Sequence, residues 1–221
     1  MSTQTLSSDN TASSDNAITQ VIPLGQKIAF GVGMLANQMF PAALGVFMVI
    51  LVQSLGMSPI LWGFIFFLPK LVDALTDPLM GYISDRTNSR WGKRRPFIFI
   101  GAVIAGISYI AMWQLSAENG EMYNFWYFLG WSVVFFLGMT IFSVPYVAMG
   151  YEMSSDYHER TRLMAVAQWI GQFAWVIAPW FWIILYDPNW FDSPTEGART
   201  LSIYVGVTCT LLAIVPAVFC Q

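Results

Sequence analysis

Six long apolar stretches set the pattern of this chain. They lie at about 28–53, 59–84, 97–117, 123–150, 163–186 and 200–220. Crossing about 30 Å of hydrocarbon takes roughly 20 apolar residues, so each stretch predicts a membrane-spanning helix. The connections alternate in character. Ser54-Leu-Gly-Met-Ser58 and Ala117-Glu-Asn-Gly-Glu121 are short, while the segments after the second and fourth stretches carry more charge. Residues 1–22 are rich in Ser, Thr, Asn and Asp, and hold no aromatic residue, Lys or Arg. That composition predicts a disordered tail, and without a basic n-region it does not read as a cleaved signal peptide. The expectation is therefore an all-α integral membrane protein, with a tail at 1–22 and a six-helix bundle over 23–221.

Composition agrees with the pattern. Hydrophobic residues make up 56% of the chain, charged residues 10%, and the mean hydropathy is +0.56. Soluble domains carry about 25% charged residues. The 10 Trp and 17 Phe suit lipid and headgroup contacts better than an aqueous core. A net charge of −3 with no long basic run gives no sign of a nucleic-acid partner. The partners expected are a lipid bilayer and a small-molecule cargo.

Charge placement predicts orientation. Lys27, Arg86, Arg90, Lys93, Arg94, Arg95, Arg160 and Arg162 fall at one end of the predicted bundle, and Arg199 at the other. The positive-inside rule puts the first group, and both termini, in the cytoplasm. Pro69, Pro78, Pro145 and Pro179 lie in or near spans, where each removes a helix hydrogen bond. Such kinks are tolerated in a bundle whose neighbours meet the freed carbonyls. Cys209 and Cys220 are about 16 Å apart if both lie on one helix, too far to bridge, and are read as packing residues. The sequence stops at the end of the sixth stretch, which suggests a half-length chain or a truncated sequence, to be completed by a C-terminal six-helix half or a partner chain.

The second stretch is unusual in holding charge. Lys70, Asp73, Asp77 and Gly81 are spaced 3, 4 and 4 apart, one face of a helix. A charge at mid-bilayer costs at least about 2.5–3.5 kcal/mol, so these must face protein or a wet cavity. Two carboxylates one turn apart repel when ionised, unless a cation lies between them. Oxygen ligands with that charge suit a sodium ion or a proton, and Thr76 adds a hydroxyl. An inert Lys70–Asp73 ion pair is the structural alternative. An intramembrane aspartyl protease would need its two carboxylates facing each other from separate helices. Here they share one helix, no GxGD is present, and no enzyme activity or cofactor is expected.

The loop after the second stretch runs from Gly81 through Asp85-Arg86 and Arg90-Trp-Gly-Lys93-Arg94-Arg95 to Pro96. It resembles the loop signature of the major facilitator superfamily. More closely, D-A-L-T-D-P-L-M-G at 73–81 followed by S-R-W-G-K-R-R-P at 89–96 resembles the glycoside–pentoside–hexuronide:cation symporters. A second stretch, Glu152-Met-Ser-Ser-Asp156-Tyr-His-Glu159-Arg160-Thr161-Arg162-Leu163, is similar to that family's E-x-x-x-D-x-x-E-R-T/E pattern.

The resemblance implies the N-terminal half of a twelve-helix transporter in a bacterial inner membrane. It implies a sodium or proton site at Asp73 and Asp77, with Thr76 and Thr140 as further ligands and Lys70 where a family arginine stands. It places the cargo at Asn37, Gln38, Ser143 and Gln168. There a sugar-carrying member has a lysine, two acids and an arginine, so neutral groups replace every charge. Amides still bind hydroxyls, which keeps a sugar, glycoside or uronate in view but not a galactoside in particular. The resemblance also implies a cytoplasmic gate of Gly81, Asp85, Arg86, Arg90, Lys93, Arg94 and Arg95 facing Asp156, Glu159, Arg160 and Arg162. His158 reads as a surface residue. A lysolipid or other amphipathic cargo, and a non-transporting half-length membrane protein, are the other readings.

Overall fold

The computed structural model describes residues 22–87 and 89–220. The predicted tail lies outside the described residues except for Ile22, which is buried. Six helices follow: α1 (Leu24–Gln53), α2 (Pro59–Arg86), α3 (Arg95–Met112), α4 (Glu121–Glu152), α5 (Tyr157–Tyr186) and α6 (Pro194–Phe219). All six are long and apolar enough to cross a membrane. A single 3₁₀ turn at Ala117–Asn119 precedes α4.

Local signals outside the apolar runs decide where the helices begin and end. Asp156 accepts hydrogen bonds from the backbone of His158 and Glu159, which starts α5 at Tyr157, six residues before its apolar stretch. Ser193 caps the backbone of Glu196 and Pro194 follows at the first helical position, so α6 likewise starts six residues early. These caps satisfy backbone N–H groups that no helix can satisfy for itself. Helix α3 stops at Met112, short of the predicted 117.

Helix α1 packs on α5 and α6, α4 packs on α2 and α3, and α3 packs on α6. Exchanging the first three helices for the last three leaves this pattern unchanged. Because successive helices alternate in direction, the two triplets run oppositely. This is the packing of an inverted repeat.

The two repeats use their matching seams differently. Helix α5 meets α1 through Ala167, Gly171, Ala174 and Ala178, all buried. A Cβ on Gly31 would come within 2.4 Å of Ile170, so the seam is closed tight. Lipid tails are as apolar as these side chains, and close packing of small residues is what holds such seams together. On α2 the corresponding face against α4 carries Lys70, Asp73, Asp77 and Gly81 instead. Small packing residues in one repeat correspond to a set of charges in the other.

Two aromatic cores stack along the bundle. Toward the basic end, Phe30 stacks on Tyr146 at 4.5 Å, and the Tyr146 hydroxyl donates to the Phe30 carbonyl. Toward the opposite end, Phe47 meets Trp113 edge-on at 5.2 Å beside Phe40, Tyr109 and Phe135. Cys209 and Cys220 are buried and unbridged. Helix α2 is the least covered element, with Phe66, Phe67, Leu71, Leu75 and Leu79 exposed along it.

Candidate functional site

Charge on α2 meets hydroxyls on α4 where the helices pack. Thr140 Oγ1 donates to Asp73 Oδ1 at 2.8 Å. Thr76 Oγ1 lies 3.4 Å from Thr140 Oγ1 and 3.2 Å from the Asp73 carbonyl oxygen, to which it donates. Thr140 is buried and Asp73 and Thr76 are half-buried, while Asp77 opens to the adjoining cavity. Each hydroxyl has one proton and two lone pairs. With both protons committed inward, the cluster turns lone pairs of Thr76 and Thr140 toward whatever the two carboxylates attract. Carboxylate and hydroxyl oxygens are the ligands a hard cation takes.

Lys70 does not pair with either aspartate. No carboxylate lies within 4.0 Å of its ammonium among the described residues, and Nζ sits 5.3 Å from the Phe136 ring centre instead. The inert Lys70–Asp73 pair is thereby absent. A cation over an aromatic face is held by the ring quadrupole, which leaves both carboxylates without an ion-pair partner.

The cavity beside the cluster holds about 820 Å³ and runs between α1, α2 and α4, with Trp175 of α5 also lining it. Asn37, Gln38, Lys70, Asp73, Asp77 and Ser143 line it. Its far half, away from the basic end, is mostly apolar, walled by Leu44, Met48, Ile65, Phe66, Phe128 and Phe135, with Ser132 among them. Gln168 is not among its lining residues. It faces a smaller cleft of about 430 Å³ with Tyr151, Tyr157 and Arg160. On α5 it stands seven residues before Trp175, about 10 Å nearer the basic end. Sequence reasoning passed over Trp175, because a tryptophan on an apolar helix looks like any membrane-interface aromatic.

Comparison with known proteins bears directly on this arrangement. Residues 29–220 match the family described as MFS/sugar transport protein. The chain belongs to that family.

Individual relatives agree. An uncharacterized symporter of Synechocystis is 31% identical over 143 residues, covering 62% of this chain and 26% of that protein. The inner membrane symporter YicJ of Escherichia coli is 29% identical over 150 residues, 66% of this chain and 32% of YicJ. The sodium-dependent lysophosphatidylcholine symporter 1-A of Danio rerio is 29% identical over 161 residues, 72% of this chain and 30% of that protein. The chain thus matches about a third or less of each relative's length. Membership in a family of transporters, together with six spanning helices, makes it a multi-pass membrane protein and not an enzyme.

The charges at the basic end of this MFS chain form two clusters rather than one network. In the first, Arg94 bridges Asp85 of α2 at 2.8 Å and Glu152 of α4, with Nη2 at 2.7 Å and Nε at 2.9 Å. The Glu152 hydrogen bond is the largest influence on Arg94 and holds its guanidinium above the usual range. In the second, Lys27 of α1 bonds Glu159 of α5 at 2.8 Å, and Arg162 adds a contact at 3.0 Å. The Glu159 side chain is only 3% exposed.

The other expected gate residues do different work. Asp156 caps α5. Arg86 stacks 4.1 Å over Tyr82, and Arg160 lies 5.8 Å over Tyr157. Arg95 donates to the Cys220 carbonyl. Arg90 and Lys93 are exposed and make no ion pair among the described residues. Between them Gly92, at φ +97°, turns the loop in a conformation that suits glycine. Gly81 is not forced by packing, since a Cβ there would meet only Val144 at 3.9 Å. His158 is exposed, as expected of a surface residue. Glu152 and Lys27 carry the inter-helix bridges and were not among the expected gate residues.

Proposed function

We propose that this chain supplies the ion-binding bundle of a cation-coupled symporter for a sugar, glycoside or uronate, working by alternating access with sodium or a proton as coupling ion. The observation that carries the reading is the cluster of Asp73, Thr140, Thr76 and Asp77 opening into a cavity that also presents Asn37, Gln38 and Ser143. A cation there neutralises the repulsion between the two aspartates and organises the wall they share with the cargo. Coupling follows if the ion favours the cargo-competent state, because each ligand then raises the other's affinity by the same factor.

The cavity's charge supports a neutral or singly charged cargo. Two ionised aspartates, one lysine and one monovalent cation sum to zero. Gln168 joins the cargo site in this reading only if α5 shifts, so it belongs with the gate-side cleft it lines. Arg94, Asp85 and Glu152 serve as the closing latch of α2, α3 and α4, and Lys27 with Glu159 keeps α1 and α5 together as the bundle rocks. The basic end is cytoplasmic by the positive-inside rule, which puts both termini in the cytoplasm of a bacterial plasma membrane. The exposed apolar face of α2 is then met by a second six-helix half or a partner chain.

A second reading has its own support. The aromatic half of the cavity suits the apolar arm of an amphipathic solute whose polar head sits at Asn37, Gln38 and the aspartates, and one relative is named a lysophosphatidylcholine symporter. Uptake of methyl glucoside and of lysophosphatidylcholine into vesicles under an inward sodium or proton gradient separates the two. Uptake of neither under either gradient would overturn both, leaving a non-transporting membrane protein.

A further inference from the structure

Trp175 on α5 and Gln38 on α1 meet at the cavity wall, where the indole Nε1–H donates to Gln38 Oε1 at 3.3 Å. An indole can only donate, whereas a glutamine amide accepts at one end and donates at the other. The contact therefore fixes which end goes where. The Gln38 oxygen is turned to α5, and the amino group, with no acceptor among the described residues, is left for the cavity. Acceptors outnumber donors among the polar groups around it, where the Lys70 ammonium and the Ser143 hydroxyl are the other donors. Asn37 directs its amino group to Met34 Sδ at 3.8 Å, which leaves its carbonyl oxygen free, and Asp73 and Asp77 are carboxylates. Turned the other way, Gln38 would add one more acceptor to a wall already rich in them.

We propose that Trp175 is a positioning residue that sets cargo specificity. By holding Gln38 Oε1 it presents the Gln38 amino group, and so selects a cargo with an acceptor oxygen at that point: a hydroxyl, a carboxylate or a phosphoryl oxygen. A solute offering only N–H donors, or no polar atom, finds no partner there. The proposal rests on reading the large cavity as the cargo site. It adds the residue that decides the polarity of that site.

The test uses the full chain in lipid nanodiscs with two probes bearing acceptor oxygens, methyl glucoside and lysophosphatidylcholine. Trp175→Phe keeps the ring and removes the donor. It should weaken whichever probe binds by roughly three- to ten-fold, the value of one lost hydrogen bond, with sodium affinity unchanged. In a Gln38→Ala background the same change should add nothing. The indole N–H resonance that disappears in Trp175→Phe should shift in Gln38→Ala. Gln38→Glu, which can still accept from the indole but cannot donate, should retain that resonance and lose probe binding. A resonance indifferent to Gln38 overturns the contact itself. A bound probe indifferent to Trp175, or equally weakened in both backgrounds, overturns the positioning role alone. A coupled resonance with neither probe bound overturns the cargo reading of the cavity and the positioning role with it.

Discussion

Thr140 of α4 donates to Asp73 of α2 at 2.8 Å, joining residues 67 positions apart. The bond matters because it sets the direction of the Thr140 hydroxyl. With its proton on Asp73, Thr140 can only offer lone pairs elsewhere. Thr140→Val keeps the shape and removes the oxygen. It should lower sodium affinity by roughly ten-fold, about 1.4 kcal/mol, and Thr140→Ser should restore it. A sodium titration followed by intrinsic fluorescence reads both. Equal affinity in all three forms would take Thr140 out of the ligand set.

The latch at the basic end is a different kind of contact. Arg94 is mostly covered, with its side chain 11% exposed, but Asp85 and Glu152 are open to solvent. Exposed pairs contribute about 0–1 kcal/mol, so Glu152→Gln should hardly change melting. Its effect should fall on the conformational balance. A cysteine placed on the cavity side of the latch should label faster in Glu152→Gln and at high salt. Restoration by the swap Arg94→Glu with Glu152→Arg would show that the pair itself is responsible.

Lys27 and Glu159 should behave in the opposite way. Glu159 is 3% exposed and Lys27 13%, and Arg162, its other partner, is largely in solvent. Lys27→Met leaves the Glu159 carboxylate short of its main counter-charge and should lower the melting temperature. The double variant with Glu159→Leu should recover most of the loss, because a buried pair replaced by apolar groups costs little. Thermal unfolding in detergent would separate these outcomes.

Packing in the α3–α4 crossing gives a fourth expectation. A Cβ on Gly101 would lie 2.4 Å from the Phe142 backbone nitrogen, and backbone cannot swing aside as a side chain can. Gly101→Ala should destabilise by about 1–3 kcal/mol. Gly45, with nothing within 4 Å of its Cβ position, is the control and should tolerate alanine.

Much of this was legible in the chain, for physical reasons that also mark where legibility ends. Lipid demands long apolar runs, so all six helices can be read directly, but it says nothing of caps. Asp156 and Ser193 start α5 and α6 outside those runs. Charge on α2 is visible because it is costly and follows the helical period. Its partner Thr140 came only through resemblance to a family, since no local rule joins α2 to α4. Bridges such as Lys27–Glu159, 132 positions apart, and Trp175–Gln38, 137 apart, have no signature along the chain. Gln168, placed at the cargo site through the resemblance, stands two turns from Trp175 and lines the smaller cleft, with Tyr151 lining both cavities.

The proposed mechanism turns on binding of the coupling ion by Asp73 and Asp77. Asp77 is the cleaner target, because it lines the cavity while Asp73 is tied to Thr140 at 2.8 Å. The direct measurement is sodium- and proton-stimulated uptake of methyl glucoside and lysophosphatidylcholine by Asp77→Asn in vesicles, with insertion checked in parallel. Uptake that no longer responds to either ion, in a protein inserted as well as the parent, is the result predicted. Undiminished ion-stimulated uptake would contradict it.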